Sequence, residues 1–163
     1  MFKYCVWYEL NKHHTINEII MKIAFFLHTD MYRGHITINS HLTKENSFYL
    51  YNNVYDTNRS NTFNLVGNIY QTKTDNFYAL QIDYKAKNNI NYPNNFISNR
   101  EKGKFHISIA YKLDEPFTES QIKMAQAIID KYKNDIAIIN RNDILLAVYF
   151  CNDKFPSYWK KIK

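Results

Sequence analysis

Four H-x-[S/T] tripeptides occur in this chain of 163 residues: His13-His14-Thr15, His35-Ile36-Thr37, His41-Leu42-Thr43 and His106-Ile107-Ser108. With six histidines in a chain rich in Ser and Thr, a match by itself means little, and local context must separate the four. Two have a geometry in common. His35 and His106 are each followed by Ile, a hydroxyl residue and Ile again. In a strand, side chains alternate between faces, so His35 and Thr37 share one face while Ile36 and Ile38 share the other. His106 and Ser108 likewise face away from Ile107 and Ile109. Such a pair suits phosphodiester cleavage. One histidine can act as base toward an attacking hydroxyl or water, the other as acid toward the leaving oxygen, because imidazole titrates near neutral pH. The Thr37 and Ser108 hydroxyls can donate hydrogen bonds to non-bridging oxygens as charge builds there. The scheme requires no metal and no cofactor. The plain alternative is two half-buried structural histidines on unrelated strands.

The other two matches read differently. Thr15 is expected to cap a helix, with Glu18 completing a capping box, which leaves His13 in a loop. His41 sits where its strand runs out into Lys44-Glu45-Asn46. It has the parity of His35 and so could line the edge of the same cleft. Lys104 has the parity of His106 and would bring a cation toward a phosphate. Arg33 stands in the same relation to His35, across Gly34.

The elements that must carry these residues follow from periodicity. Tyr4 to Leu10 reads as a first strand. Ile16, Ile19, Ile20, Ile23 and Leu27 fall at helical spacing. His35 to Asn39 alternates as a strand. Aromatic residues from Ser47 to about Tyr55 suggest another. Phe63 to Gln71 and Phe77 to Tyr84 suggest a hairpin around Thr74-Asp75-Asn76. Lys85 to Lys104, rich in Asn and interrupted by Pro93 and Gly103, reads as a long loop made basic by Lys85, Lys87, Arg100 and Lys102. Lys104 to Tyr111 alternates again. Thr118 and Gln121 form a capping box ahead of a helix with Ile122, Ala125, Ile129 and Tyr132 on its apolar face. Ile144 to Phe150 reads as a buried strand. The expected fold is α+β, with two β-α-β units around a shared sheet, in a single domain spanning 1–163.

Composition narrows the class. The chain is 45% hydrophobic and 17% aromatic, which is enough apolar material for a packed core. A formal charge of +6 and a pI near 9.1 favour anionic partners. Cys5 and Cys151 are too few for a disulfide scaffold in a chain of this length, and reduced thiols in a cytosol-like compartment are expected. No run resembles a signal peptide or a membrane span. A soluble, cytoplasmic, monomeric protein is expected. Heavy use of Asn, Lys, Ile and Tyr suggests an AT-rich genome.

The paired motifs on strands, inside β-α-β halves, resemble the 2H phosphoesterase superfamily over roughly Tyr4 to Phe150. Its LigT-like members include RNA 2′,3′-cyclic phosphodiesterases, 2′,5′-oligoadenylate phosphodiesterases and viral enzymes that destroy cyclic-nucleotide alarm signals. Length and motif spacing look most similar to phage anti-CBASS enzymes. The resemblance implies a bilobal fold, two β-α-β halves with antiparallel sheets around a central cleft that holds His35, Thr37, His106 and Ser108. It also implies cleavage of cyclic di- or oligonucleotides in immune evasion, within a host cytoplasm if the chain is viral, and an aromatic residue on the first strand, at Tyr4, stacking on a base. Two other functions remain open. One is an RNA phosphodiesterase acting on 2′,3′-cyclic ends or 2′,5′ linkages. The other is a module that binds nucleotides without turnover. An enclosed pocket with an aromatic platform would favour a small cyclic nucleotide, and an open basic groove would favour short RNA.

Overall fold

The computed structural model describes residues 3–54, 61–74, 77–93, 103–151, 156 and 159–163. In chain order these form strand β1 (Tyr4–Leu10), helix α1 (Thr15–Leu27), strand β2 (His35–Leu42), helix α2 (Lys44–Asn53) and strands β3 (Thr62–Lys73), β4 (Tyr78–Ala86) and β5 (Lys104–Lys112). Helices α3 (Glu119–Lys131) and α4 (Lys133–Ile136) follow, then strands β6 (Ile138–Asn140), β7 (Ile144–Phe150) and β8 (Lys160–Lys161). The α+β class is as expected. No described helix is long and apolar enough to cross a membrane.

Helix α1 forms because five apolar residues recur on one face, and Ile16, Ile19, Ile20, Ile23 and Leu27 are all buried. Each contributes roughly 1.5–3 kcal/mol on full burial. Its cap is one residue earlier than Thr15. His14 Nδ1 accepts from the Ile16 amide at 3.2 Å, so Thr15 becomes the first helical residue. Asn17 Oδ1 is thereby placed to accept from the Gly34 amide at 2.7 Å. The second box is as read: the Thr118 side chain accepts from Gln121 N, and Gln121 reaches back to the cap's own amide.

The strand expected from Ser47 is instead helix α2. Thr43 accepts from the Asn46 amide at 3.1 Å, and Ser47 and Leu50, three residues apart, are the buried pair. This local cap overrides the strand preference of Phe48, Tyr49 and Tyr51, which is largely a preference for a half-buried surface. Lys85 belongs to β4 rather than to a loop, whereas Arg100 and Lys102 lie outside the described residues. The hairpin stands: β3 and β4 pair antiparallel through Lys73 and Tyr78, and the Thr74 amide donates to Phe77 O. Asp75 and Asn76 are not among the described residues.

The strands form two sheets rather than one shared sheet, ordered β2-β1-β7-β8 and β5-β4-β3-β6. The last long strand leaves the second half: β7 pairs with β1 from Tyr4↔Phe150 to Leu10↔Ile144. The two motif strands, β2 and β5, are each the outer strand of a sheet, and they lie against one another. A single buried cluster unites their inner faces, with Ile36 and Ile38 from β2, Ile107 and Ile109 from β5, and α1 and Ile129 above them.

Candidate active site at the junction of two sheets

Both motif strands carry the same irregularity at the same place. In the β1–β2 ladder Trp7 pairs with Thr37 but Val6 with Asn39, so Ile38 is an extra residue. In the β4–β5 ladder Gln81 pairs with Ser108 but Leu80 with Ala110, so Ile109 is an extra residue. Each H-x-[S/T] thus ends in a β-bulge whose inserted isoleucine is buried to within 1%. Bulges re-aim the side chains that follow. After the β5 bulge, Tyr111 turns toward the outward face, where Ser108 hydrogen-bonds to it.

His35 is buried in the first sheet, 5% exposed. Its ring stacks on Trp7 at 3.6 Å between centroids and 12° between planes. Trp7 in turn stacks on Tyr149 at 4.2 Å. Tyr32 and Trp159 approach His35 edge-on, at 6.4 and 6.2 Å. Its Nδ1 lies 2.9 Å from the Arg33 carbonyl oxygen. A carbonyl only accepts, so Nδ1 carries the hydrogen and Nε2 is the atom that can take up or give back a proton.

The segment entering β2 is held on several sides. Leu10 N donates to Gly34 O at 2.9 Å. A Cβ on Gly34 would lie 3.0 Å from both Ile16 Cγ2 and Leu10 Cδ1, so the close approach of helix to strand needs glycine. The Arg33 guanidinium donates to Glu9 Oε1 at 2.9 Å. Glu9, the cross-strand partner of His35, is a buried carboxylate that also accepts from the Tyr149 hydroxyl at 2.7 Å. Lys161 of β8 pairs with it at 3.2 Å. Burial, then the hydrogen bond to Glu9, pushes the Tyr149 phenol above its ordinary range.

His106 is half-buried in the second sheet. Asp83 stands opposite it in the ladder, Gln81 opposite Ser108, and Lys85 opposite Lys104. Gln81 Nε2 donates to Ser108 Oγ at 3.3 Å, and Tyr70 donates to Asp83 Oδ1 at 2.5 Å. Burial, then that hydrogen bond, raises the Tyr70 phenol's pKa. His106, Asp83, Lys85, Lys104, Val66 and Tyr70 line a cleft of about 540 Å³ together with Tyr84 and Phe105.

Tyr32 joins the two sides. Its hydroxyl donates to the Ser108 carbonyl at 2.9 Å, while its ring borders His35 and lies 5.2 Å from Tyr111. Burial, with Tyr111 and Asp30 adding to it, holds the Tyr32 phenol well above its ordinary pKa. His35 and Ser108 are therefore neighbours of one tyrosine, and Thr37 is half-buried opposite Trp7.

Tyr4, His41 and Lys104 fall in three different surroundings. Tyr4 shares parity with Val6 and Tyr8, packs on Phe150 at 4.9 Å and leans on the core. The first-strand aromatic next to His35 is Trp7. His41 is exposed with a left-handed backbone at φ 60°, and its Nδ1 lies 3.0 Å from Ser40 Oγ. Lys104 is exposed at the mouth of the cleft. Cys5 and Cys151 form no disulfide; their mutual hydrogen bond, then burial, drives the Cys151 pKa upward.

Trp7, Tyr32, Trp159 and Glu9 were not foreseen. Tyr4 to Leu10 has aromatic residues of both parities, so alternation cannot say which face meets a histidine. Tyr32 and Trp159 arrive from segments without periodicity. No protein-family model matches the chain, and no curated protein matches it. Among the described residues, no three His, Cys, Asp or Glu side chains are grouped to hold a metal ion.

Proposed function

We propose that this chain is a phosphodiesterase of the 2H type that cleaves small cyclic nucleotide signals without a metal. The observation that carries this reading is the repeated bulge. Two H-x-[S/T] motifs, on outer strands of two sheets that touch, each end in one inserted buried isoleucine. Unrelated structural histidines would have no reason to share that detail. On this reading, one imidazole takes the proton of the attacking 2′-hydroxyl or water as the new P–O bond forms. The other gives a proton to the oxygen that leaves. Thr37 and Ser108 donate to the non-bridging oxygens, and the fixed Nδ1–H at His35 keeps Nε2 turned to the reaction. Which histidine is base depends on how the substrate lies.

The aromatic enclosure of His35 favours a compact nucleotide over a long RNA strand. Access is the steepest demand, since only 5% of His35 is exposed.

The test is a panel of cyclic di- and trinucleotides, 2′,5′-oligoadenylate and RNA with 2′,3′-cyclic ends, followed by chromatography. Consumption of a cyclic oligonucleotide is expected, with EDTA without effect. His35→Ala and His106→Ala should each lower kcat by about 10³-fold, within the usual range for a general acid or base, while circular dichroism stays unchanged. Activity that survives either change, or dies with EDTA, sinks the reading. Consumption of the RNA ends alone would move it to RNA processing.

A further inference from the structure

We infer that Glu9 and Asp83 are positioning residues for the two motif histidines, each carboxylate favouring the protonated form of the imidazole opposite it. The consequence for turnover rests on the phosphodiesterase reading, whereas the effect on the rings does not. Glu9 is the direct cross-strand partner of His35 in the β1–β2 ladder, and Asp83 is that of His106 in the β4–β5 ladder. Such partners place their Cβ atoms about 5 Å apart. Each acid also accepts from a tyrosine hydroxyl, Glu9 from Tyr149 and Asp83 from Tyr70. One such pair could arise by chance. A second, with a tyrosine attached in the same way, at the matching residue of the other motif strand, points to a shared task.

The His35 side shows the physics most fully. Glu9 is 6% exposed, and a buried ion pair is often no better for stability than packed apolar residues of the same size. Its carboxylate accepts from Arg33 Nη1 at 2.9 Å, and Lys161 Nζ reaches both of its oxygens, at 3.2 and 3.4 Å. Arg33 Nη1 is also 3.3 Å from Leu10 O, while the carbonyl of the same residue takes the His35 Nδ1 hydrogen. Glu9 thus holds the residue that fixes the tautomer. Burial keeps the Tyr149 and Tyr32 phenols neutral, and Asp30 acts on Tyr32. One negative charge on β1 therefore stands against two positive ones, from the segment before β2 and from β8. Without it, both cations would oppose an imidazolium at His35. An opposite charge within about 4–6 Å favours the charged form by roughly 1–3 pH units. His106 has the same balance, with Asp83 beside Lys85 and Lys104 in one cleft. A histidine that both takes up and releases a proton needs its charged form within reach near neutral pH.

Nitrogen NMR of histidine-labelled protein follows the titration of both rings without substrate. Glu9→Gln should lower the His35 midpoint by at least about one pH unit and leave His106 unmoved, and Asp83→Asn should do the reverse. Lys161→Gln, at a half-exposed position, removes a cation instead and should raise the His35 midpoint. It keeps the test intact if Glu9→Gln fails to fold. Added to Glu9→Gln, it should return at least about half of the lost midpoint, since one net positive charge remains in the double variant as in the parent. Loss of melting temperature with both midpoints unmoved would make the acids structural and overturn the inference. So would equal shifts at both rings, or a Lys161→Gln change that leaves His35 where it was. On a nucleotide that is consumed, Glu9→Gln should move one limb of the kcat/KM pH profile downward and Asp83→Asn the other. The limb that follows Glu9 then tells whether His35 is base or acid, and limbs that ignore both changes overturn the positioning role. Consumption of nothing in the panel would overturn the phosphodiesterase reading, with the midpoints still deciding what the carboxylates do.

Discussion

His35 and His106 occupy matching places on two outer strands, each followed by a hydroxyl residue and a bulge, yet their surroundings differ. His35 lies flat on Trp7, edged by Tyr32 and Trp159, with a backbone carbonyl on Nδ1 and a buried carboxylate next to it on β1. His106 is more exposed and sits beside its ladder partner Asp83, with the Lys85–Lys104 pair next along the same two strands, all lining one cleft. The backbone is nearly repeated and the walls are not. Strand and bulge fix where each histidine sits, and the neighbours decide what can come near it. An aromatic wall excludes water and orients a ring, whereas a charged wall recruits an anion.

The largest expected effect that separates the two sides is on stability. Trp7→Ala removes a side chain packed between His35 and Tyr149 and should cost about 3–5 kcal/mol. Lys104→Gln, at an exposed position, should stay within about 0.5 kcal/mol. Urea denaturation of both variants checks this. Comparable midpoints would mean that the aromatic stack bears no weight and that the asymmetry is only of appearance. Trp7→Phe should recover part of the loss, because a smaller ring still offers a face to the imidazole.

Gly34 gives a middle-sized effect on the same side. A methyl group there would push against Ile16 and Leu10, and overpacking of this kind costs about 1–3 kcal/mol. The displacement falls on the residue just before His35. Gly34→Ala is therefore expected to lower kcat more than an equally destabilising change far from β2, such as Ile129→Val. Equal kcat in the two variants would show that the helix-to-strand approach does not set the histidine.

These contrasts show why some of the molecule could be read from its residues and some could not. Ile16 to Leu27 and Thr118 to Gln121 were legible because helical spacing and caps are local signals that the final fold left in place. The two motif strands were legible for the same reason, through their alternation. Helix α2 was not, because Phe48, Tyr49 and Tyr51 favour strands while a single threonine cap and a buried Leu50 decide otherwise. The departure of β7 to pair with β1 was not, because an apolar run from Ile144 says that a strand is buried but not beside what. At the site, the histidines and hydroxyls were legible as types and spacing. Trp7, Tyr32, Trp159 and Glu9 were not, since each matters through a contact distant in sequence. The bulges escaped too, because an extra residue is defined only against a partner strand.

The smallest effect is a pH dependence confined to the His35 side. His14 caps α1 by accepting from Ile16 N, and α1 holds Gly34 through Asn17. Burial lowers the His14 pKa below its ordinary 6.5, with Asp143 pulling the other way. A protonated ring cannot accept from the amide, so the cap needs the neutral form. The unfolded chain then binds the proton more readily than the folded one, and stability rises with pH in that window. The contribution is fully present above about pH 6.5 and is lost as pH falls from there through the lowered folded value. His14→Asn keeps a cap without titrating, so the difference in melting temperature between it and the parent chain should widen in its favour from pH 7 to pH 5. Amide exchange should show the N-terminal turn of α1 and Gly34 opening first in the parent, ahead of β4 and β5. A difference independent of pH, or opening that begins in the lysine-lined sheet, would mean that the two sides are not held by separate supports.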